Sequence, residues 1–423
     1  MNPLAGVRIL TVEQFGAAPY GSMFLADLGA EVVKIENAAA TLVRQPVPGQ
    51  PVPGQQGDPG RYIGPHRLGP ADSLYFQTWH MNKKSVLLDL KSPQGRKDFE
   101  RLAGTADAVM NNLRGDQPSA LGLDYAGLSG INPAIVCVHI SAYGRDNERK
   151  AWPGYDFLMQ AEAGLMHLTG EADGPPSRIG PSMIDYMTGM IAVTGLLSCL
   201  LRARQTGQGC DVDVSLFDVA LHQLGYAGLW HMNAGDNPKR MRRSAHLSVV
   251  PVQTYPTADG WVFIMCMTDK FWEALLEKLG RKDLGADARF SSQDQRRRHR
   301  DDLTDILDAE FSKAPTAHWT ELLSGVLPVA PVYDIAQALA SPFVQRQGMI
   351  ATLQHPQRPD LKVFASPLKI DGERPAQAVG SALGADNAAL LAGAGGARRA
   401  PATPRAAPAP VSRRPAPSRR RRS

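Results

Sequence analysis

The stretch Ile179–Leu201, IGPSMIDYMTGMIAVTGLLSCLL, limits the possible folds more than any other part of the chain, because its only charge is Asp185. So apolar a run must be hidden from water nearly all round, in a bilayer or beneath other elements. Its proline, three glycines and carboxylate argue against a membrane span, since an ionised side chain near the bilayer centre costs about 3 kcal/mol or more. The run therefore predicts one buried helix, from about Asp185 to Arg204. On a helical wheel Thr188, Ala192, Gly195 and Cys199 form a stripe of small side chains that lets another backbone approach, while Met187, Met190, Val193, Leu197, Leu200 and Leu201 cover much of the rest. Asp185 at the helix start has two readings. It is an N-cap worth about 1 kcal/mol, or a nucleophile or base held by the helix terminus away from bulk water.

The first part of the chain supplies what such a helix would pack on. GVRILTV, EVVKIE, SVLLDL, ADAVMNN and AIVCVHISAYG read as strands. APYGSMFLADLG, closed by Gly29, and SPQGRKDFERLAG, with Ser92 as N-cap and Pro93 in the first turn, read as helices between them, as does LDYAGLSGIN. This alternation predicts a parallel α/β sheet with ligands at the carboxyl ends of its strands. Residues 38–71, with the tandem PVPGQPVPGQ, interrupt it as a loop. After Ser215 the texture changes: VVPVQTYPTADGWVFIMCM predicts a hairpin turning at Asp259-Gly260, DKFWEALLEKLG a helix, and residues 301–325 two more. The expected organisation is a large Rossmann-like domain from residues 1–225 and 326–395, a smaller α+β domain at 226–325, and a tail at 396–423.

The formal net charge of +5 belongs to that tail. From Arg398 onward there are nine arginines and no acid, leaving 37 basic and 41 acidic residues elsewhere. Its Pro, Ala and Arg composition cannot build a packed core. Charge alone would let it touch nucleic acid or acidic lipid, although a solvated tail is the simpler reading, and neither nucleic acid nor membrane is expected as a partner. Cys137, Cys199, Cys210 and Cys266 show no CxxC spacing, so reduced core thiols are expected, with no metal site. With no recognisable signal peptide, a cytoplasmic location is expected.

Matching segments in order along residues 3–390, among them LADLGAEVVKIE, NKKSVLLDLKSPQGR, YDFLMQAEAGLMHLTGE and RQTGQGCDVDVSLFDVAL, resemble the class III coenzyme A transferases, the CaiB/BaiF family. The resemblance implies an interlocked homodimer and an acyl-CoA:carboxylate CoA-transferase that uses no cofactor beyond its coenzyme A thioester substrate. It implies that the aspartate in PSMIDYMTGM, Asp185, attacks the thioester to give a mixed anhydride and then an enzyme–CoA thioester. It also implies CoA contacts at Gly16, Ala17, Leu88, Lys91, Asn112, Leu113 and Arg114.

Departures from the family pattern sharpen the expectation. Gly16 stands where formyl-CoA transferases have a glutamine, Asn37 and Ala120 stand where arginines are usual, and RRSAHLSVVPVQTY replaces a Gly-rich loop. These argue against a formyl or oxalate assignment and leave Arg44, Lys83, Lys84 and Arg145 as further candidates for holding CoA phosphates. The basic segment Lys239–Arg243 suggests a dicarboxylate such as succinate, by charge complementarity. Racemases of 2-methylacyl-CoA thioesters are the alternative within the superfamily, but they need a histidine where this chain has Tyr155, leaving Asp156 as a structural helix start. An alternative from another class is a charge-driven interaction protein acting through the basic tail.

Overall fold

Residues 2–39 and 55–392 are described by the structure, a computed structural model. The tandem pentapeptides, all but Gln55, together with Arg44 and the tail at 396–423, lie outside the described residues. Six strands form one parallel sheet: β1 (Arg8–Val12), β2 (Glu31–Asn37), β3 (Lys84–Leu88), β4 (Ala108–Asn111), β5 (Val136–Ser141) and β6 (Cys210–Ser215). Their order is 3-2-1-4-5-6, that of dinucleotide-binding sheets. The sixth strand was not expected. CDVDVS alternates acids with apolar residues because it is an edge strand, covered on one side only.

Successive residues of the inner strands point to opposite faces, and each face has its own core. Ile9, Ala108, Met110, Val136, Val138 and Ile140 meet the helices α1 (Ala17–Asp27) and α5 (Met183–Thr206) on one side. Leu10, Val33, Val86, Val109 and Cys137 meet α3 (Pro93–Ala103), through Phe99 and Leu102, on the other. α2 (Leu74–His80) precedes β3, and α4 (Asp156–Glu162) precedes α5.

The apolar run thus becomes α5, packed lengthwise on α1 and the sheet. Its close approach uses Gly189 beside Thr188 and Ala192, rather than Gly195 and Cys199. A Cβ on Gly189 would lie 2.4 Å from the Ala17 carbonyl oxygen, and one on Gly21 would lie 2.6 Å from that of Gly189. Side chains at either position would push the two helices apart.

Beyond α6 (Leu216–His222) and α7 (Gly225–Ala234), a second core surrounds the antiparallel pair β7 (Val252–Pro256) and β8 (Trp261–Met265). Against these pack α8 (Asp269–Leu279), α9 (Arg300–Phe311) and α10 (Thr316–Leu323). A third strand, β9 (Val329–Pro331), pairs with β8, so the smaller sheet runs past residue 325. The chain then returns to the large sheet: Ser85 N–H donates to Asp386 and Leu87 N–H to Asn387, at the start of α11 (Asn387–Ala392).

Candidate active site

In the order 3-2-1-4-5-6 the chain reverses direction between β1 and β4, and the loops leaving those strands diverge to open a crevice at their carboxyl ends. The crevice here is a cleft of about 160 Å³. Gln14, Phe15, Gly16 and Ala17 line it from the loop after β1, and Asn112, Leu113 and Arg114 from the loop after β4. Trp152, Tyr155 and Asp185 complete its wall. The fold therefore brings together Asp185 and five of the seven residues expected to contact CoA. The other two lie apart. Leu88 packs its side chain into the core beneath β3, and Lys91 is exposed just beyond that strand.

Two local devices shape the loop after β1. Asn112 clamps it: Gln14 N–H donates to Asn112 Oδ1 at 2.9 Å, and Asn112 Nδ2 donates to the Gln14 carbonyl at 2.7 Å. Phe15 holds φ at +61°, a conformation that costs a bulky residue on the order of 1 kcal/mol or more. The turn delivers Gly16 directly against the nucleophile candidate, since a Cβ there would lie 2.6 Å from Asp185 Oδ2. Gly16 is thus required for the space it leaves. Its φ of −107° needs no glycine.

Asp185 lies in the first turn of α5 and does not cap it. The N–H groups of Ile184 and Asp185 instead donate to Asp156 Oδ2, at 2.7 and 3.0 Å. The N-cap role expected of Asp185 therefore belongs to Asp156, which leaves the Asp185 carboxylate free to face the cleft. Burial pushes the Asp185 carboxyl up to about 7, and the nearby Asp156 charge adds to the rise. Among the described residues no cation pairs with either carboxylate. Near neutral pH such a group is held between acid and carboxylate. Its ionised form is poorly solvated and hence a stronger base and nucleophile.

Behind the same loop lies a buried network. Lys83 Nζ reaches Glu13 Oε1 at 2.7 Å and Lys34 Nζ reaches Asp58 Oδ2 at 2.8 Å. Arg61 grips Glu36 through Nε and Nη2, at 2.8 and 2.6 Å, and lies 3.8 Å over the Phe76 ring. Burial alone would raise the three carboxyls, but the adjacent cations outweigh it and leave Glu13, Glu36 and Asp58 below the ordinary carboxylate range. Burial pushes Lys83 down to about 8 and, with Lys34 and Lys83 nearby, His80 to about 4. Lys83 is thus a structural ion-pair partner within the fold. Lys84 pairs with Glu31 at the amino ends of β2 and β3, away from the cleft, and Arg145 with Asp213.

The arginines of the basic segment are likewise occupied. Arg240 donates to the carbonyls of His167, Glu171 and Gly174, while Arg242 and Arg243 pair with Asp305 and Asp308. The charge-complementarity argument for a dicarboxylate at Lys239–Arg243 accordingly rests on the exposed Lys239 alone. Arg296 is also buried and holds the Val250 and Phe290 carbonyls.

An unpaired, largely buried carboxylate in the switch-point crevice of a Rossmann-like sheet marks the place where an α/β enzyme of this architecture holds its ligand. Comparison with known proteins makes this specific. The family model for CoA-transferase family III matches residues 4–387. A succinate–glutarate CoA-transferase from Agrobacterium fabrum is 29% identical over 363 residues, spanning 83% of this chain and 85% of that protein. An acetyl-CoA:oxalate CoA-transferase from Acetobacter aceti is 32% identical over 352 residues, or 82% of this chain and 85% of that protein. The crystal structure of a CaiB/BaiF family protein from Brucella suis superimposes with a TM-score of 0.78 at 29% identity, covering 93% of this chain and 99% of that one. The chain belongs to CoA-transferase family III, and it is an enzyme that moves CoA between carboxylic acids.

Sequence reasoning singled out Asp185 through its isolation and the loops after β1 and β4 through resemblance, and the fold brings them to one cleft. It did not find the parts played by Phe15, Trp152 and Asp156. Among the described residues none lining the cleft is a histidine, so the His–Asp pair of the racemases does not form there.

Proposed function

We propose that the chain transfers CoA from an acyl-CoA to a second acid, dicarboxylic acids foremost, through covalent intermediates on Asp185, and that it works as an interlocked homodimer. Asp185 attacks the thioester carbonyl, the C–S bond breaks, and CoA leaves as thiolate from an aspartyl mixed anhydride. The thiolate attacks the aspartyl carbonyl, releasing the donor acid and leaving an enzyme–CoA thioester. The acceptor carboxylate attacks that thioester to form its own anhydride, and the thiolate resolves it to the new acyl-CoA and free Asp185. The reaction needs no resident cofactor.

The observation that carries this reading is the unpaired Asp185 carboxylate at the cleft, held near 7 by burial. Partial exclusion of water would protect both the anhydride and the thioester from hydrolysis. The acid class comes from the relatives, whose named acids include succinate, glutarate and oxalate. For CoA, Gly16, Ala17 and Asn112–Arg114 would border the reacting end, and the nucleotide end would cross β2 toward Leu88 and Lys91, about 10 Å away at two strand spacings. Met190, Ile191 and Leu201 of α5 and Leu229 and Met232 of α7 are exposed on the single chain, an apolar surface that a second copy would cover.

The test is intact-protein mass after mixing with succinyl-CoA and a panel of other acyl-CoA thioesters, trapped with hydroxylamine or borohydride. An adduct on the peptide carrying Asp185, absent from Asp185→Ala, is the expected result. No adduct with any donor, together with α-proton exchange in a 2-methylacyl-CoA, would overturn it.

A further inference from the structure

The helix that carries Asp185 is started by a residue 29 positions earlier. Its own N-cap, Ser182, makes no side-chain hydrogen bond, and the free N–H groups of Ile184 and Asp185 converge on Asp156 Oδ2. Asp156 is the first residue of α4 and is 3% exposed. Its second oxygen accepts from Gln160 Nε2, and Gln160 Oε1 accepts from Ile179 N–H at 2.9 Å. One turn of α4 thus grips both ends of the segment 179–185.

A serine or asparagine would cap the helix comparably well, whereas a carboxylate also puts a second negative charge beside the first. Among the described residues no cation pairs with either carboxylate. The other titratable groups around Asp185 are phenols: Tyr186 on its own helix, Tyr75 on α2, and Tyr155 in the cleft wall just before α4. Gly16 and Ala17 face it from α1 without charge, and Arg114, across the cleft, is paired to Asp116 at 2.6 Å.

We propose that Asp156 is a positioning residue for CoA transfer: it fixes the start of α5 so that Asp185 faces the thioester, and its charge makes the Asp185 carboxylate a stronger nucleophile. The proposal rests on Asp185 being the acyl carrier. When Asp185 forms the anhydride its charge departs with the CoA thiolate, so the like-charge repulsion present before attack is relieved in the intermediate. A carboxylate of raised basicity also attacks better and leaves less readily, narrowing the gap to the more basic thiolate.

Asp156→Asn retains shape and an accepting oxygen but removes the charge. Asp156→Ser is a second neutral cap should the first fail to fold. Transfer kcat/KM is measured across about pH 5.5–9, spanning the ionisation of Asp185. The wild-type profile should rise through about 7. In either variant the rise should move down by about one pH unit and the plateau should fall about tenfold, so that the variant-to-wild-type ratio is higher at pH 6 than at pH 8. A uniform loss with unshifted profiles would reduce Asp156 to a structural cap and overturn the proposal. The two readings fail separately. Retained transfer by Asp185→Ala removes the acyl carrier itself, whereas an inactive Asp185→Ala beside parallel Asp156 profiles removes only the role given to Asp156.

Discussion

Behind the loop Gln14–Ala17 the chain buries Glu13, Glu36 and Asp58 against Lys83, Arg61 and Lys34, one cation for each carboxylate. In front of the same loop it sets Asp156 and Asp185 beside each other with no cation between them. The carboxyls of the first group sit below their ordinary range and that of Asp185 sits well above it, though all are withdrawn from water. Burial acts in the same direction on each, so the partner decides the outcome. Paired charges tie β1, β2, β3 and the segment 58–80 together, and the cations favour the ionised form of each carboxylate. An unpaired carboxylate is held in a less stable form that chemistry can use. The paired network helps keep Gly16 and Asp185 in register, because Glu13 immediately precedes the cleft loop.

If this contrast is right, removing the unpaired carboxylate should abolish chemistry and spare the fold. Asp185→Ala should lower transfer kcat by about 10⁴ or more, the usual cost of deleting a covalent nucleophile, with unchanged circular dichroism. An active, normally folded variant would end the covalent reading. Removing a paired charge should do the reverse. Lys83→Met strands Glu13 in the core and should cost about 3–5 kcal/mol by urea denaturation, with CoA-transfer activity per folded molecule largely kept. A cost below about 1 kcal/mol would show the network to be decoration.

How much of this contrast is legible in the sequence differs between its two sides. Asp185 stands out because it is the only charge between Ile179 and Leu201, and five of the six sheet strands follow from short apolar runs. Lys34 and Glu36 lie within the correctly expected strand EVVKIE, yet nothing local says they are buried, because their partners Asp58 and Arg61 come from a segment read only as loop. Lys83 read as a free cation for the same reason. A role for Asp185 in capping α5 is one of its two readings because local rules favour an acid within the helix start. The acid that caps it lies on another helix, and only tertiary structure brings it there. The parallel sheet was implicit in the alternation, but its strand order and its edge strand were not, since alternation permits several orders and an edge needs only one apolar face.

A pH test sharpens the comparison further. The Asp185 carboxyl, near 3.8 when unfolded and about 7 when folded, favours the fold while protonated; that stability is present below about pH 3.8 and is lost as pH rises through about 7. Asp185→Asn removes the dependence. Its stability relative to wild type should therefore be nearly level at pH 4 and greater by at most about 4 kcal/mol at pH 8. Glu13→Gln should show the opposite trend, losing most relative to wild type at pH 8, because the lowered Glu13 carboxyl stabilises the fold only when ionised. Equal pH slopes in the two variants would break the contrast.

The smallest expected effect is the most local. Gly16→Ala adds one methyl group at a position whose backbone angles suit alanine, so the fold should change by less than about 1 kcal/mol. That methyl would lie 2.6 Å from Asp185 Oδ2, and the carboxylate must swing aside because the Gly16 backbone is fixed between β1 and α1. A displacement near 1 Å of the attacking atom costs about a hundredfold in rate. The loss should appear in kcat for the acylation half-reaction, read as slower accumulation of the trapped Asp185 adduct, with KM for acyl-CoA changed little. A Gly16→Ala enzyme that acylates at the wild-type rate would mean that Asp185 reacts from a different rotamer than the one facing Gly16. The contact would then reflect packing in the resting enzyme, and the unpaired carboxylate would owe its reactivity to Asp156 and burial without help from the loop after β1.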